Sequence, residues 1–157
     1  MAKARDIPGL RADLPFAQAA ALTVRVRADE LWEHSANVLD TGDIERVHDM
    51  RVATRRLRAV LEIYAPCFPK AELRSVLRDV KRLADALGAR RDPDVQLEDL
   101  EAFAAAIPKA DHPGVELFAT QLRGEQEAGN ATLGLALEQA RESDLRGRLQ
   151  ALAEAAA

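Results

Sequence analysis

Residues 47–58 read VHDMRVATRRLR, and the rest of the chain is organised around this stretch. On an α-helix, at about 100° per residue, its apolar side chains fall on one face. That face contains Val47, Met50, Thr54, Leu57, Leu61 and Tyr64. The adjoining arc carries four potential cations, His48, Arg51, Arg55 and Arg58. A solvated helix face normally mixes both signs of charge, so this one-signed row is the first indication of function.

Arg56 belongs to the same stretch but points elsewhere. Its helical phase places it near Glu45 and Asp49 rather than in the row. We therefore treat Arg56 as a weaker candidate for any function that the row performs.

The composition predicts an all-α protein. The 157 residues suit one domain with a real core, aromatic residues make up only 4 %, and alanine and leucine are abundant. We expect a helical bundle with long antiparallel helices. Residues 1–12, which include Pro8 and Gly9, are expected to form a flexible tail, and residues 13–157 a single helical domain.

The sequence favours a cytoplasmic protein without a membrane partner. No apolar stretch is long enough to span a bilayer, and the N-terminus has no signal-peptide pattern. Cys67 is the one cysteine, so no internal disulfide can form.

Local signals predict the helix boundaries. Asp13 is a candidate cap for a first helix that reaches about Leu39, and a second helix covers about 44–65. A third helix covers about 70–87 and ends at Gly88.

Further boundary signals follow Gly88. Asp92 and Pro93 predict the cap and first residue of a separate, antiparallel fourth helix to about Ala106. A fifth helical region covers about 113–141, and Ser143 is expected to cap a last helix.

Charge is distributed unevenly along the chain. Residues 51–91 hold 11 Lys/Arg and four Asp/Glu, a net charge of +7, although the whole chain is at −4. Part of the excess is a second basic row on the third helix, formed by Lys70, Arg74, Arg78 and Lys81. A positive patch on an otherwise acidic protein attracts polyanions to one place.

Catalysis is not predicted. His48-Asp49 superficially resembles a metal-hydrolase pair, but that chemistry needs further converging histidines, and His34 and His112 lack ligand spacing. There is no phosphate-cradling glycine loop and no recognisable Ser-His-Asp grouping. We therefore expect no metal and no cofactor.

Anion binding explains the basic rows better. Arginine presents a planar fork that matches phosphate oxygens, and a protonated His48 would add a donor, so binding would strengthen at lower pH. The alternative is that the arginines form salt bridges with local acids, but these are few for so many cations.

Two ordered motifs carry a family resemblance. The first is 47–58, and the second is LADALGARRDPDV at 83–95. Together they resemble the N-terminal signature of CHAD domains, the conserved-histidine α-helical domains. The resemblance implies an all-helical fold, usually two related four-helix bundles around a basic cavity, and binding of inorganic polyphosphate.

The resemblance also implies roles for individual residues. His48, Arg51, Arg55 and Arg58 would face the polyanion, joined by Arg74, Arg78, Lys81 and Arg82. Arg91 would border the site, and Asp92 would mainly cap and orient.

The chain resembles only one half of such a domain. It is either a fragment or natural half-domain, or two copies pair as a homodimer to rebuild the two-bundle shape. The acidic-and-lysine strand signature of the triphosphatase domain often fused to this family is absent, which again argues against catalysis.

Three hypotheses follow from the sequence. The leading one is a non-catalytic polyphosphate-binding module, acting in the cytoplasm or at polyphosphate granules. A nucleic-acid binder would use the same electrostatics but lacks interleaved aromatics for base stacking. A helical scaffold would dock an acidic protein partner on the basic rows.

Overall fold

The computed structural model describes residues 3–157, which form five α-helices and contain no strand. Two short 3-10 helices, Ala65–Cys67 and Lys109–Asp111, lie between helices. The α-helices are α1 Phe16–His34, α2 Glu45–Ile63, α3 Lys70–Ala106, α4 His112–Glu142 and α5 Leu145–Glu154. The prediction of an all-α helical bundle is confirmed. None of the helices within residues 3–157 has the length and apolar character needed to cross a membrane.

The helices enclose one core. α2 packs against α1 and α3, α4 packs along α3, and α5 closes the bundle against α1, α3 and α4. Short connections join α2 to α3 and α3 to α4, so each pair of neighbours runs antiparallel. The fully buried side chains include Leu31, Met50, Leu57, Leu83, Leu137 and Leu149. Burying each such side chain contributes about 1.5–3 kcal/mol.

The prediction that a helix ends at Gly88 is wrong. Asp92 and Pro93 do not start a new helix either, because α3 continues through all three residues to Ala106. Proline at position 93 has no N–H, so the carbonyl of Ala89 loses its helical partner. Gly129 of α4 packs directly on this carbonyl, and a Cβ at Gly129 would lie 2.8 Å from the Ala89 oxygen. α3 therefore stays helical where local signals favour a break, and α4 packs closely against it at this point.

A buried polar network lies beside this contact. The guanidinium of Arg90 pairs with Asp94, and neither side chain is exposed. Gln126 Nε2 donates to Asp94 Oδ1 at 2.6 Å, and Arg90 Nε donates to Asn130 Oδ1 at 3.2 Å. Asn130 Nδ2 in turn donates to the carbonyl of Leu39 at 3.0 Å. The network thus joins α3, α4 and the segment between α1 and α2.

The ends of α1 also differ from the prediction. Asp13 does not cap the helix, because its carboxylate accepts from Arg11 Nε at 3.2 Å and Pro15 occupies the cap position. α1 then stops at His34 rather than near Leu39. Asn37, with φ at 55°, adopts a left-handed conformation that a continuing helix cannot contain.

Ser143 was expected to cap the last helix, and this prediction is wrong. Ser143 ends α4, and Asp144 takes the cap position of α5 in a left-handed conformation. The Asp144 Oδ1 accepts a hydrogen bond from the backbone N–H of Gly147 at 3.1 Å. Aspartate at this position therefore satisfies a free N–H of the first turn.

The contact at Gly129 makes a first prediction. Gly129→Ala should destabilise the protein by about 1–3 kcal/mol, because the added methyl group meets backbone atoms that have no room to move. Gly124→Ala, on the same helix, is the matched control. Its Cβ would meet open space, so it should stabilise α4 by about 0.5–1 kcal/mol. Urea unfolding measures both, and equal effects would contradict a close contact at Gly129.

Candidate functional site

The row on α2 lies at the surface beside the core. Arg51, Arg55 and Arg58 are exposed and His48 is half-buried. Arg58 Nε donates to Glu62 Oε1 at 2.8 Å, an exposed pair. Arg51 and Arg55 form no ion pair with any residue between 3 and 157. The guanidinium groups of Arg51 and Arg55 therefore have no carboxylate close enough to pair with them in the described chain.

Arg56 occupies a different environment. It is half-buried, and its charge acts on Glu30 of α1. The structure therefore places Arg56 on the α1 side of α2, away from the other three arginines.

The second row follows the exposed side of α3. Lys70, Arg74, Arg78 and Lys81 are all exposed. Arg78 Nε lies 3.8 Å from the Asp79 carboxylate. Arg74 and Lys81, like Arg51 and Arg55, make no ion pair within the described chain.

Arg82 does not join this row. Its Nη1 lies 3.5 Å from Asp79, which also accepts from Arg148 Nη1 of α5 at 2.7 Å. Arg82 lines a small cleft together with Gln139 and Ser143 at the end of α4. Its side chain therefore lies on the α4 side of α3, and its charge is partly compensated there.

Arg91 lies further along α3 and is largely covered. Only 13 % of its side chain is exposed, and Nη2 lies 3.8 Å from Glu98. Its Nη1 is buried without a hydrogen-bond partner. Asp92 is exposed in the middle of α3, so the expectation that it caps a helix is wrong.

Sequence reasoning missed the importance of Arg90. Arg90 is the largest fully buried side chain in the described chain, whereas we selected its neighbour Arg91 by motif. The signal was available in the spacing, because Leu83, Leu87, Arg90 and Asp94 continue the buried stripe at helical intervals. A charged pair four residues apart within an apolar stripe indicates a buried ion pair.

A small cluster of ligand-type atoms lies at the start of α2. Ligand atoms of Glu45, His48 and Asp49 lie within 4.8 Å of one another. Exposed groups of this kind are common without an ion, and Asp49 has another interaction within the described chain. The cluster alone does not assign a metal.

The fold is a helical bundle with two surface rows rich in arginine and lysine, and comparison identifies the family. The family model described as CHAD domain matches residues 23–157. The chain therefore belongs to the CHAD domain family, whose members are generally binding domains rather than catalysts. No curated protein and no solved structure matched the chain.

Glu30 of α1 connects the N-terminal segment to the bundle. It is buried, and it accepts from the backbone N–H of Arg5 and, at 2.6 Å, from Arg27 Nη1. Burial alone would raise the pKa of Glu30. The hydrogen bonds from Arg5 and Arg27 and the charges of Arg27 and Arg56 outweigh it, so the pKa lies below the ordinary 4.5.

The lowered pKa makes a second prediction. Glu30 is more acidic in the folded than in the unfolded state, so its stabilisation is complete above about pH 4.5 and is lost as pH falls through the folded value. Glu30→Gln should cost about 1–3 kcal/mol at pH 7 and clearly less at pH 3. Urea unfolding at both pH values tests this.

Glu33→Gln is the control for this experiment. Glu33 also pairs with Arg5, but 59 % of its side chain is exposed, so its loss should cost at most about 1 kcal/mol. A Glu30→Gln effect that is equal at both pH values would refute the role of the charge.

Proposed function

We propose that this protein binds inorganic polyphosphate, without catalysis, in a groove between the basic rows of α2 and α3. The observation that carries the proposal is that each of two basic rows, on adjacent antiparallel helices, contains two cations that make no ion pair within the described chain. These are Arg51 and Arg55 on α2 and Arg74 and Lys81 on α3. Family membership supports the ligand, because the CHAD domain is associated in general with polyphosphate binding.

The packing supports a common face for the two rows. On α2, Arg56 marks the side that faces α1, so α3 packs on the other side of the buried stripe, next to Arg51 and Arg58. On α3, Ser75 and Asp79 mark the side that faces α5, because both bond to Arg148. α2 therefore packs on the opposite side of the α3 stripe.

Each row then lies just outside the contact between α2 and α3. When each helix is viewed from its N-terminus, the same direction of rotation about the axis leads from the side that contacts the other helix to the basic row. Because the two helices run antiparallel, rows related in this way lie on the same face of the hairpin. The groove between them would be bordered by Arg51 and Arg55 on one side and Arg74 and Lys81 on the other.

The shape of this surface favours a long anion. Each row extends over about 15 Å, since ten residues of helix rise about 1.5 Å each. A mononucleotide would contact only part of it, whereas a linear phosphate chain would meet successive cations. The arginine forks can bind its oxygens in pairs, and Lys81 adds a point charge.

The aromatic residues favour polyphosphate over single-stranded nucleic acid. Base stacking would need aromatic rings between the cations. Phe103 and Phe118 are exposed, but they lie on the far half of α3 and on α4. Tyr64, at the end of α2, is half-buried and packs against Phe16 with ring centroids 4.8 Å apart.

Calorimetry with long-chain polyphosphate at several salt concentrations tests the proposal. The double substitution Arg51→Glu/Arg55→Glu should weaken binding at least tenfold. It should also flatten the dependence of log K on log salt by about 1–2, because two phosphate contacts are lost.

Arg25→Glu/Arg141→Glu is the matched control, with the same change in net charge on exposed residues of α1 and α4. It should retain most of the affinity. Absence of binding by the wild type, or an equal loss in both double variants, would exclude the groove. Tighter binding of RNA or duplex DNA than of polyphosphate at physiological salt would favour a nucleic-acid binder.

A further inference from the structure

A carboxylate ends the basic row on α2. The row of Arg51, Arg55 and Arg58 continues, four residues after Arg58, with Glu62. This spacing places Glu62 about 20° from Arg55 in helical projection, within the arc of the row. Glu62 is exposed and accepts from Arg58 Nε at 2.8 Å. The positive charge of the α2 row therefore ends at Arg58.

The row on α3 ends in the same way. Asp85 follows Lys81 by four residues and Arg78 by seven, so it continues the row on the helix surface. Asp85 is exposed and makes no ion pair with any residue between 3 and 157. Asp92 continues the row as a second exposed carboxylate without an ion pair in the described chain. Beyond Lys81 the row therefore carries negative charge.

Glu62 and Asp85 lie at opposite ends of the groove. Glu62 is next to the last residue of α2, beside the turn that leads to Lys70 at the start of α3. Asp85 lies about 22 Å along α3 from Lys70, and His48 lies equally far from Ile63 along α2, so Asp85 comes opposite His48. Each end therefore has a carboxylate on one helix, whereas the middle of the groove has cations on both.

A phosphate chain meets different electrostatic environments in the middle and at the ends. In the middle, over about 10 Å of each helix, the chain lies between cations that can bind its oxygens on both sides. At either end, a carboxylate on one helix repels the phosphates, as like charges do at an otherwise complementary surface. At physiological salt this repulsion falls off over about 8–10 Å, so it acts most strongly on the phosphates at the ends.

We propose that Glu62 and Asp85 are specificity-determining residues, which limit the bound part of a phosphate chain to a segment of about 10 Å. The inference rests on the proposed binding of polyphosphate and specifies the form of ligand that the groove recognises. That form is a short stretch of phosphates, and a longer chain leaves the surface at both ends. Longer chains thus offer more positions for binding but no further contacts within one groove.

Calorimetry with tripolyphosphate, a medium-length polyphosphate and a long-chain polyphosphate at several salt concentrations tests the proposal. The slope of log K against log salt reports how many phosphates are bound, so the medium and long chains should give the same slope with the wild type.

The double substitution Glu62→Gln/Asp85→Asn should steepen the slope for the long chain by about 1–2 and strengthen its binding about tenfold, because one more phosphate can bind at each end. Tripolyphosphate, which is shorter than the groove, should keep its slope. Asp85→Asn alone breaks no ion pair in the described chain and should give part of the increase.

Asp99→Asn/Glu138→Gln is the matched control, with the same charge change on exposed residues of α3 and α4 that make no ion pair in the described chain. It should bind the long chain with the wild-type slope. Equal gains in both double variants would show general charge attraction and overturn the proposal, as would no gain in either. A wild-type slope that keeps rising from the medium to the long chain would also overturn it. Absence of binding by every polyphosphate would exclude the groove itself and this inference with it.

Discussion

The contact between Gly129 and the Ala89 carbonyl, with the buried Arg90–Asp94 pair beside it, determines the architecture. Pro93 removes a helical hydrogen bond here, and an isolated helix would bend or end. α4 approaches closely enough to cover the exposed carbonyl only because residue 129 has no side chain. The Arg90–Asp94 pair lies within α3, and its hydrogen bonds with Gln126 and Asn130 join it to α4. Removing one member of a buried ion pair typically costs about 3–5 kcal/mol, so this packing of α4 on α3 contributes strongly to stability.

The continuity of α3 gives one helix two halves of opposite charge. Its first half packs against α2 and carries Arg74, Arg78 and Lys81 on its free side. Its second half packs along α4, and a cleft lined by Glu98, Glu101 and Glu116, and by Ile44 from the residue before α2, lies beside it. Had the chain turned at Gly88, the second half would have folded back and the two regions would not lie at opposite ends. The charge asymmetry of the sequence is therefore a separation in space, with the basic rows on the first half of α3 and the carboxylates on the second half.

Helical periodicity was enough to predict most of the fold. The apolar stripes of α2 and of the first half of α3 were identified from spacing, and the breaks near Pro66 and Ile107 match the structure. The predicted ends at Gly88 and Asp92 were wrong because local rules cannot include the packing of α4 on Ala89. Asp144 was missed as a cap because its left-handed conformation is imposed by the turn between α4 and α5.

Helical periodicity also predicts part of the candidate site. The phase of the helix separates Arg56 from Arg51 and Arg55, and in the structure Arg56 lies on the side of α2 that faces α1. Helical phase does not decide whether Arg82 belongs to the row on α3. In the structure its side chain lies on the other side, next to Asp79, which also pairs with Arg148. Burial likewise distinguishes Arg90 from Arg91, two adjacent arginines that the motif treats alike.

The most direct measurement is a crystal structure of the chain with a polyphosphate of medium length. The account predicts phosphates in the groove between α2 and α3, with Arg51 and Arg55 on one side of the chain and Arg74 and Lys81 on the other. Phosphates bound instead at Arg82 and Arg148, on the opposite side of α3, would contradict it.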